Sequence, residues 1–434
     1  MQKRFPVNYI SNLINSPSKK ILLENFFALS LIQALNYLIP LITLPYLVRV
    51  IGPEKFGLIS FAQALIGYFV ILTDYGFNLS ATREISIHRE NKQKLNEIYS
   101  SVMILKFLLC VLSFIILSLI CFTIPKFKKD YLVYIYTFGL VLGNVIFPIW
   151  FFQGMERMRY ITIIHTISRM IFMIFIFIFI KKISDYLYVP LINSIGILFG
   201  GMLSLGLIYR DFGVRLLLPS VEAMKHQLKE GWHIFISTMA TSLYTTSNVF
   251  ILGLFTNNTV VGYYSAAEKI IRTIQGLLTP VSQTAYPRIS KLVSESKEKA
   301  INFIKKMIKT VGIVSFIISS IIFVFSVSIV NIILGEQFGR SIIVLRLLSF
   351  LPFIISLSNI FGIQTMLTFN YKDAFSKILI AAGILNIILA FVLVPFFKEV
   401  GISIAVVITE IFVTVSMFVY IEKKGIKLLK REIL

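Results

Sequence analysis

Apolar residues run along this chain in long blocks, without the strict alternation of a half-buried strand. Twelve such blocks lie near residues 27–48, 57–79, 98–123, 131–152, 161–180, 187–209, 232–255, 260–286, 307–334, 342–369, 374–397 and 401–421. Each is long enough, at about 1.5 Å per residue, to cross a hydrocarbon core of about 30 Å. The polar connections are short: FTNN (255–258) and FKEVG (397–401) are a few residues each, and the longest, 210–231 and 287–306, have room for no catalytic domain. The pattern predicts an all-α polytopic membrane protein of twelve transmembrane helices.

Composition makes the bilayer the solvent. Hydrophobic residues are 57% of the chain, charged residues 15%, and mean hydropathy is +0.84, which excludes an ordinary soluble domain. Lys and Arg number 42 against 21 Asp and Glu, but their placement argues for orientation and not for nucleic acid. With the N-terminus in the cytoplasm, the inside segments, counted with Lys309 and Lys377 at the inner ends of their spans, hold 28 basic residues and the outside loops 9. The positive-inside rule then puts both termini in the cytoplasm of a multi-pass inner-membrane protein. The opening MQKRFPVNYISNLINSPSKK lacks the apolar core of a cleavable signal peptide. Cys110 and Cys121 sit eleven residues apart on one predicted helix, where a disulfide is geometrically unreasonable. No phosphate-cradling glycine loop or metal-ligand spacing is present, and His88, His165, His226 and His233 form no i, i+4 pair. The expectation is a non-enzyme with no metal and no cofactor.

An internal repeat organises the twelve blocks. A shift of 205 residues places Gly57, Ser60, Ala62, Ile66, Leu72 and Arg83 on Gly262, Ser265, Ala267, Ile271, Leu277 and Arg288. A shift of 211 places Gln153, Met155 and Tyr160 on Gln364, Met366 and Tyr371. An even number of spans separates the copies, so the repeat is parallel, about an axis near the membrane normal. Two six-helix bundles are expected, 27–209 and 232–421, around a central cavity. They are joined by a cytoplasmic linker, 210–231, and flanked by a cytoplasmic segment, 1–26, and a basic tail, 422–434.

Polar residues within spans mark candidate function. Apart from Lys309 and Lys377 at inner span ends, five cations fall there: Lys106, Arg169, Lys269, Arg272 and Arg346. In YYSAAEKIIRTIQGLLTP (263–280), Ser265, Glu268, Lys269, Arg272, Gln275, Gly276 and Thr279 share a sector of about 120° at 100° per residue. Lys269 would lie about 15 Å deep, where a basic residue costs about 2.5–3.5 kcal/mol to insert. Two cations there call for water or an anion, or else for a structural ion pair. The first span adds a polar stripe with Gln33, Asn36, Pro40 and Thr43, and the seventh carries eight hydroxyl or amide residues between Ser237 and Asn248, which suit close helix packing or a cavity wall equally. Asp74 and Arg83 are expected to pair, as an inner gate or as a loop clamp. Gln153 and Gln364 are candidates for hydrogen bonds to a ligand or for satisfying helix ends. Gln63, which the repeat aligns with Glu268, is a candidate for a neutral cavity wall, Arg169 is a candidate for the same cavity, and Glu268 and Glu410 are candidates for proton or sodium coupling.

The segments PYLVRVIGPEKFGLISFAQALIGYFVILTDYGFNLSATREIS (45–86), PIWFFQGMERMRYIT (148–162) and VVGYYSAAEKIIRTIQGLLTPVSQTAYPRISKL (260–292) resemble the Wzx-type O-antigen and polysaccharide-repeat flippases. That family belongs to the multidrug, oligosaccharidyl-lipid and polysaccharide exporter superfamily. The resemblance implies two bundles forming a V and passage of an undecaprenyl-pyrophosphate-linked glycan to the outer leaflet, with sugar hydroxyls as the ligand of Gln153 and Gln364 and a polysaccharide polymerase and a chain-length regulator as partners. Three other classes fit less well. A cation-coupled drug exporter would usually carry an acidic residue in its first span, a lipid II flippase fourteen spans, and a membrane glycosyltransferase or polymerase a sizeable outside loop.

Overall fold

The computed structural model describes residues 17–428, and for residues 17–38, 40, 41, 240, 241, 243–245, 279–281 and 283 the backbone alone. Every element among the described residues is helical. In chain order they include α1 (Pro17–Asp74), α2 (Phe77–Ile87), α3 (Lys92–Thr123), α4 (Tyr131–Ile146), α5 (Ile149–Gly154), α6 (Met158–Phe179), α7 (Tyr188–Leu207), α8 (Val221–Thr245), α9 (Ser247–Phe255), α10 (Asn258–Glu295), α11 (Lys297–Val324), α12 (Ser341–Leu348), α13 (Leu351–Asn359) and α14 (Lys372–Lys423). Eight helices among the described residues are long and apolar enough to cross a membrane. The fold is an all-α polytopic membrane architecture, as the apolar blocks predict.

Side-chain caps start three of the long helices. Asn91 accepts from the Lys94 amide at 3.1 Å, Asn257 from Val260 at 3.0 Å and Ser296 from Lys299 at 3.4 Å, each meeting an amide that has no partner within its helix. Single residues break the longest ones. Gly52 (φ 73°) interrupts α1 and Lys398 (φ 49°) interrupts α14, so the expected loops at 49–56 and 397–401 shrink to one non-helical residue each. The second span was expected to reach 79. It ends at Asp74 instead, because Tyr75 (φ 43°) and Gly76 (φ 80°) turn the chain into α2. A Cβ on Gly76 would lie 2.7 Å from the carbonyl oxygen of Gly231. The seventh span is broken at Thr246, and the eighth continues as helix to Glu295, into the predicted 287–306 loop.

Two compact units result. Unit 1 holds the described residues up to Ile39 with Tyr68–Phe177 and Val189–Ile236; unit 2 holds Pro40–Gly67, Ile178–Tyr188 and Ser237 onward. Compactness and repeat thus divide the chain differently, since the linker 210–231 belongs to unit 1 and residues 40–67 to unit 2. The core of unit 1 is built on Phe77, Tyr99, Trp150, Phe151 and Phe152, and that of unit 2 on Ile289, Ile304, Phe361, Met366 and Met417. The WFFQG block is therefore core: its three aromatic side chains are fully buried, and Gly154 leaves room for Ile85. At the turn that follows, Arg89 donates to the Gly154 carbonyl at 2.8 Å and to Glu156 at 2.6 Å, which holds the Glu156 carboxyl below its ordinary pKa.

Within unit 2, α1 and α10 meet backbone to backbone. A Cβ on Gly57 would lie 1.7 Å from the Asn258 carbonyl oxygen, and one on Gly262 would lie 2.0 Å from the Pro53 carbonyl oxygen. The repeat offset of 205 maps Pro53 on Asn258 and Gly57 on Gly262, so the two helices exchange the same contact. Glycine is required at both positions because no side chain fits between the helices.

Inside unit 1, Asp74 bonds Lys106 at 2.8 Å, and Lys106, 1% exposed, also donates to the Asn144 carbonyl at 3.3 Å. The expected Asp74–Arg83 pair is thereby corrected: Arg83 is exposed on α2, beyond the turn, while Lys106 needs a counter-ion where it is buried. Removing one partner of a buried pair costs about 3–5 kcal/mol, and removing both costs far less. Asp74→Asn should therefore lower membrane abundance sharply, and Asp74→Asn/Lys106→Met should restore most of it, as read by in-gel fluorescence of a tagged protein. Equal levels in the single and double variants would contradict a structural pair.

Candidate functional site

The charged helix α10 forms one wall of a cavity of about 260 Å³ within unit 2. Ser265, Glu268, Lys269 and Arg272 contribute from α10, Ser60, Gln63 and Ala64 from α1, and Thr246 and Val249 from the α8–α9 break. Helical periodicity accounts for the division of α10: Tyr264, Ala266, Ala267, Ile270 and Ile271 are buried, while Lys269 and Glu268 are half-buried and Arg272 is 55% exposed at its side chain. Gln63 and Ala64 are the repeat counterparts of Glu268 and Lys269. Equivalent positions of the two copies thus face one cavity, and the formal charge comes from one copy only.

Arg272 turns both Nε and one Nη toward the same Glu268 oxygen, at 3.1 and 2.9 Å. Such an i, i+4 pair is worth only about 0.3–0.5 kcal/mol when exposed, but it neutralises one of the two cations. Glu410 on α14 also reaches Arg272 through charge. Lys269 differs. Among the described residues no carboxylate lies within salt-bridge distance of it, and its ammonium sits 5.8 Å from the centre of the Phe56 ring. Among the described residues the three ionisable side chains lining the cavity, Glu268, Lys269 and Arg272, therefore sum to a positive formal charge centred on Lys269, beside an aromatic face that tolerates a cation.

Other candidates lie elsewhere. Gln275 and Gln364 line a second cavity of unit 2, about 450 Å³, where Gln364 donates to the Ser282 carbonyl at 2.7 Å. Arg169, Asp74, Arg83 and Gln153 belong to unit 1. Arg169 is half-buried one turn beyond His165, and the Gln153 amide oxygen is 3.5 Å from the Thr82 hydroxyl. Arg346 is exposed and donates to Ser326 at 2.8 Å. The side chain of Asn36 lies outside the described residues, as do those of Gln33 and Pro40. Sequence reasoning missed Phe56 and Ser60 as cavity neighbours. The FG of GPEKFG could have pointed to them, since its glycine aligns with Gly262 two turns before Lys269.

The consensus of a family described as polysaccharide biosynthesis protein matches residues 22–293, more than half of the chain. The chain belongs to that family. This polysaccharide biosynthesis protein is similar to an Escherichia coli K12 protein named as an O-antigen transporter, with 39% identity over 405 residues, covering 93% of this chain and 97% of the relative. Among solved structures, its fold is like that of an inward-facing multidrug resistance MATE family transporter of the MOP superfamily, at TM-score 0.71 and 16% identity over 94% of this chain and all of that one. It is also like the lipid II flippase MurJ in an inward closed conformation, at TM-score 0.69 and 13% identity over 93% and 87% of the two chains. These two likenesses concern the fold.

Proposed function

We propose that this family member is a flippase that carries an undecaprenyl-pyrophosphate-linked oligosaccharide from the inner to the outer leaflet of the cytoplasmic membrane. The observation that carries the reading is the positive cavity at Lys269 and Arg272 on a helix whose opposite face, with Ala267, Ile270 and Ile271, is apolar and buried. A glycan and its pyrophosphate need a wet, polar route, whereas a polyprenyl tail can stay in the hydrocarbon beside it. The E. coli relative's name supports the cargo class. On this reading the chain makes twelve spans in two six-helix bundles with both termini cytoplasmic, does no covalent chemistry, and delivers its cargo to a polymerase and chain-length regulator.

Lys269 and Arg272 attract the pyrophosphate or acidic sugars; Gln63 offers a neutral wall, and Glu268 moderates the charge. Deleting the gene should leave complete lipid-linked repeat units on the inner leaflet, detected by mass spectrometry of extracted lipids. A normal lipid profile with full surface polymer would refute the assignment.

Glu410, within electrostatic reach of Arg272, is our candidate for ion coupling. In proteoliposomes, Glu410→Gln should abolish a proton- or sodium-driven transport signal while the protein remains folded. Unchanged coupling would dismiss the residue.

A further inference from the structure

The second cavity of unit 2 differs in chemistry from the first. It is about 450 Å³, within the range of small-ligand sites, and among the described residues none that lines it is charged. Its polar groups are the amides of Gln275, Asn359 and Gln364 and the hydroxyls of Ser282, Ser356 and Tyr286. Leu278, Met307 and Pro352 supply apolar wall. Gln364 is fully buried, on a stretch wound as π-helix from Ile360 to Leu367, a winding frequent at functional sites. Its Nε2 is engaged by the Ser282 carbonyl and hydroxyl, at 2.7 and 3.1 Å. Its Oε1 has no hydrogen-bond partner among the described residues. A buried amide oxygen left in that state calls for a donor from a ligand or water.

We infer that this cavity is a subsite for uncharged sugar rings of the cargo, set beside the anion-holding cavity on the same helix. The inference rests on the flippase reading. A primary amide presents donors and an acceptor together, which matches sugar hydroxyls that both give and receive hydrogen bonds. The apolar wall receives the C–H face of a ring. The described lining is uncharged, which disfavours pyrophosphate or an acidic sugar, whose desolvation those residues would not offset. Position adds the connection between subsites. Gln275, Ser282 and Tyr286 follow Arg272 by three, ten and fourteen residues, within a sector of about 80° at 100° per residue. They lie about 5–20 Å further along the axis at 1.5 Å per residue. One face of α10 therefore offers a cationic station followed by a neutral hydrogen-bonding one, the order of groups in a glycosyl pyrophosphate.

The test uses the full chain in lipid nanodiscs and two probes: inorganic pyrophosphate, and the host's surface oligosaccharide released from its carrier by mild acid. Gln275→Ala/Asn359→Ala should weaken oligosaccharide binding at least tenfold and leave pyrophosphate binding unchanged. Lys269→Ala/Arg272→Ala should show the opposite split. Oligosaccharide binding that is absent from the unaltered protein, or equal in the Gln275/Asn359 variant, overturns the subsite; repeat-unit transport in the same nanodisc-purified protein, reconstituted into liposomes, would still stand. If that transport is also absent and the gene deletion leaves surface polymer intact, the flippase reading itself is overturned. Gln364→Glu gives an independent check, since an added anion in a neutral lining should reduce oligosaccharide binding without affecting pyrophosphate.

Discussion

Replacing Lys269 and Arg272 together by Ala should stop export of the lipid-linked repeat unit while the protein stays in the membrane at normal abundance. The two residues supply all the formal positive charge among the described residues that line their cavity, and Glu268 would then make that lining negative. Opposite charges about 4 Å apart interact by about 4 kcal/mol at an effective dielectric constant near 20. Inverting the sign of the cavity thus changes the occupancy of an anion there by several orders of magnitude. The conservative exchange Lys269→Arg/Arg272→Lys keeps the charge and should retain most export, which separates charge from packing. Arg272→Ala alone should be milder than the double change, because Lys269, with no carboxylate beside it among the described residues, remains. Surface polymer is measured by gel staining, with immunoblots for abundance. Full polymer in the double Ala variant would sink the cationic-cavity reading.

The second large effect concerns the close approach of α1 and α10. Gly57→Ala and Gly262→Ala each put a methyl group less than 3 Å from a carbonyl oxygen of the facing helix. A main-chain oxygen cannot rotate away as a flexible side chain would, so the helices themselves must part. Overpacking usually costs about 1–3 kcal/mol, and a clash with backbone belongs at or above the top of that range. Each substitution should lower the melting temperature of the detergent-solubilised protein clearly. Because the same separation relieves both clashes, the double variant should lose less than the sum of the singles, an interaction term of the kind measured in double-mutant cycles. Additive losses, or no loss, would show that the contact is not shared.

Much of this was legible in the chain. Apolar block length gave the helices, and the shift of 205 residues aligned the two glycines that pack on each other. The polar sector of α10 was readable from 100° spacing, and the cavity contains four of its members. Other features depend on partners distant in sequence. Lys106 was visible as an intramembrane cation, but its bond to Asp74, 32 residues earlier, follows from how α3 packs beside the end of α1. Arg83 was the nearer basic residue, and the left-handed turn at Tyr75 and Gly76 carries it onto a different helix. WFFQG was readable as a motif but not as core, since only packing shows that its aromatics fill unit 1. The neutral cavity around Gln364 needed the π-helical winding, for which the apolar pattern has no signature.

The exchange contact between Pro53–Gly57 and Asn258–Gly262 is made of main chain, whereas the charges of α10 begin one to two turns further along. Joint and lining occupy different positions on the same two helices. Substitutions at 63, 64, 268, 269 or 272 can retune which anion the cavity holds without touching the joint. Cargo preference in this architecture is thus free to drift, while the seam that sets the helix spacing tolerates almost no change.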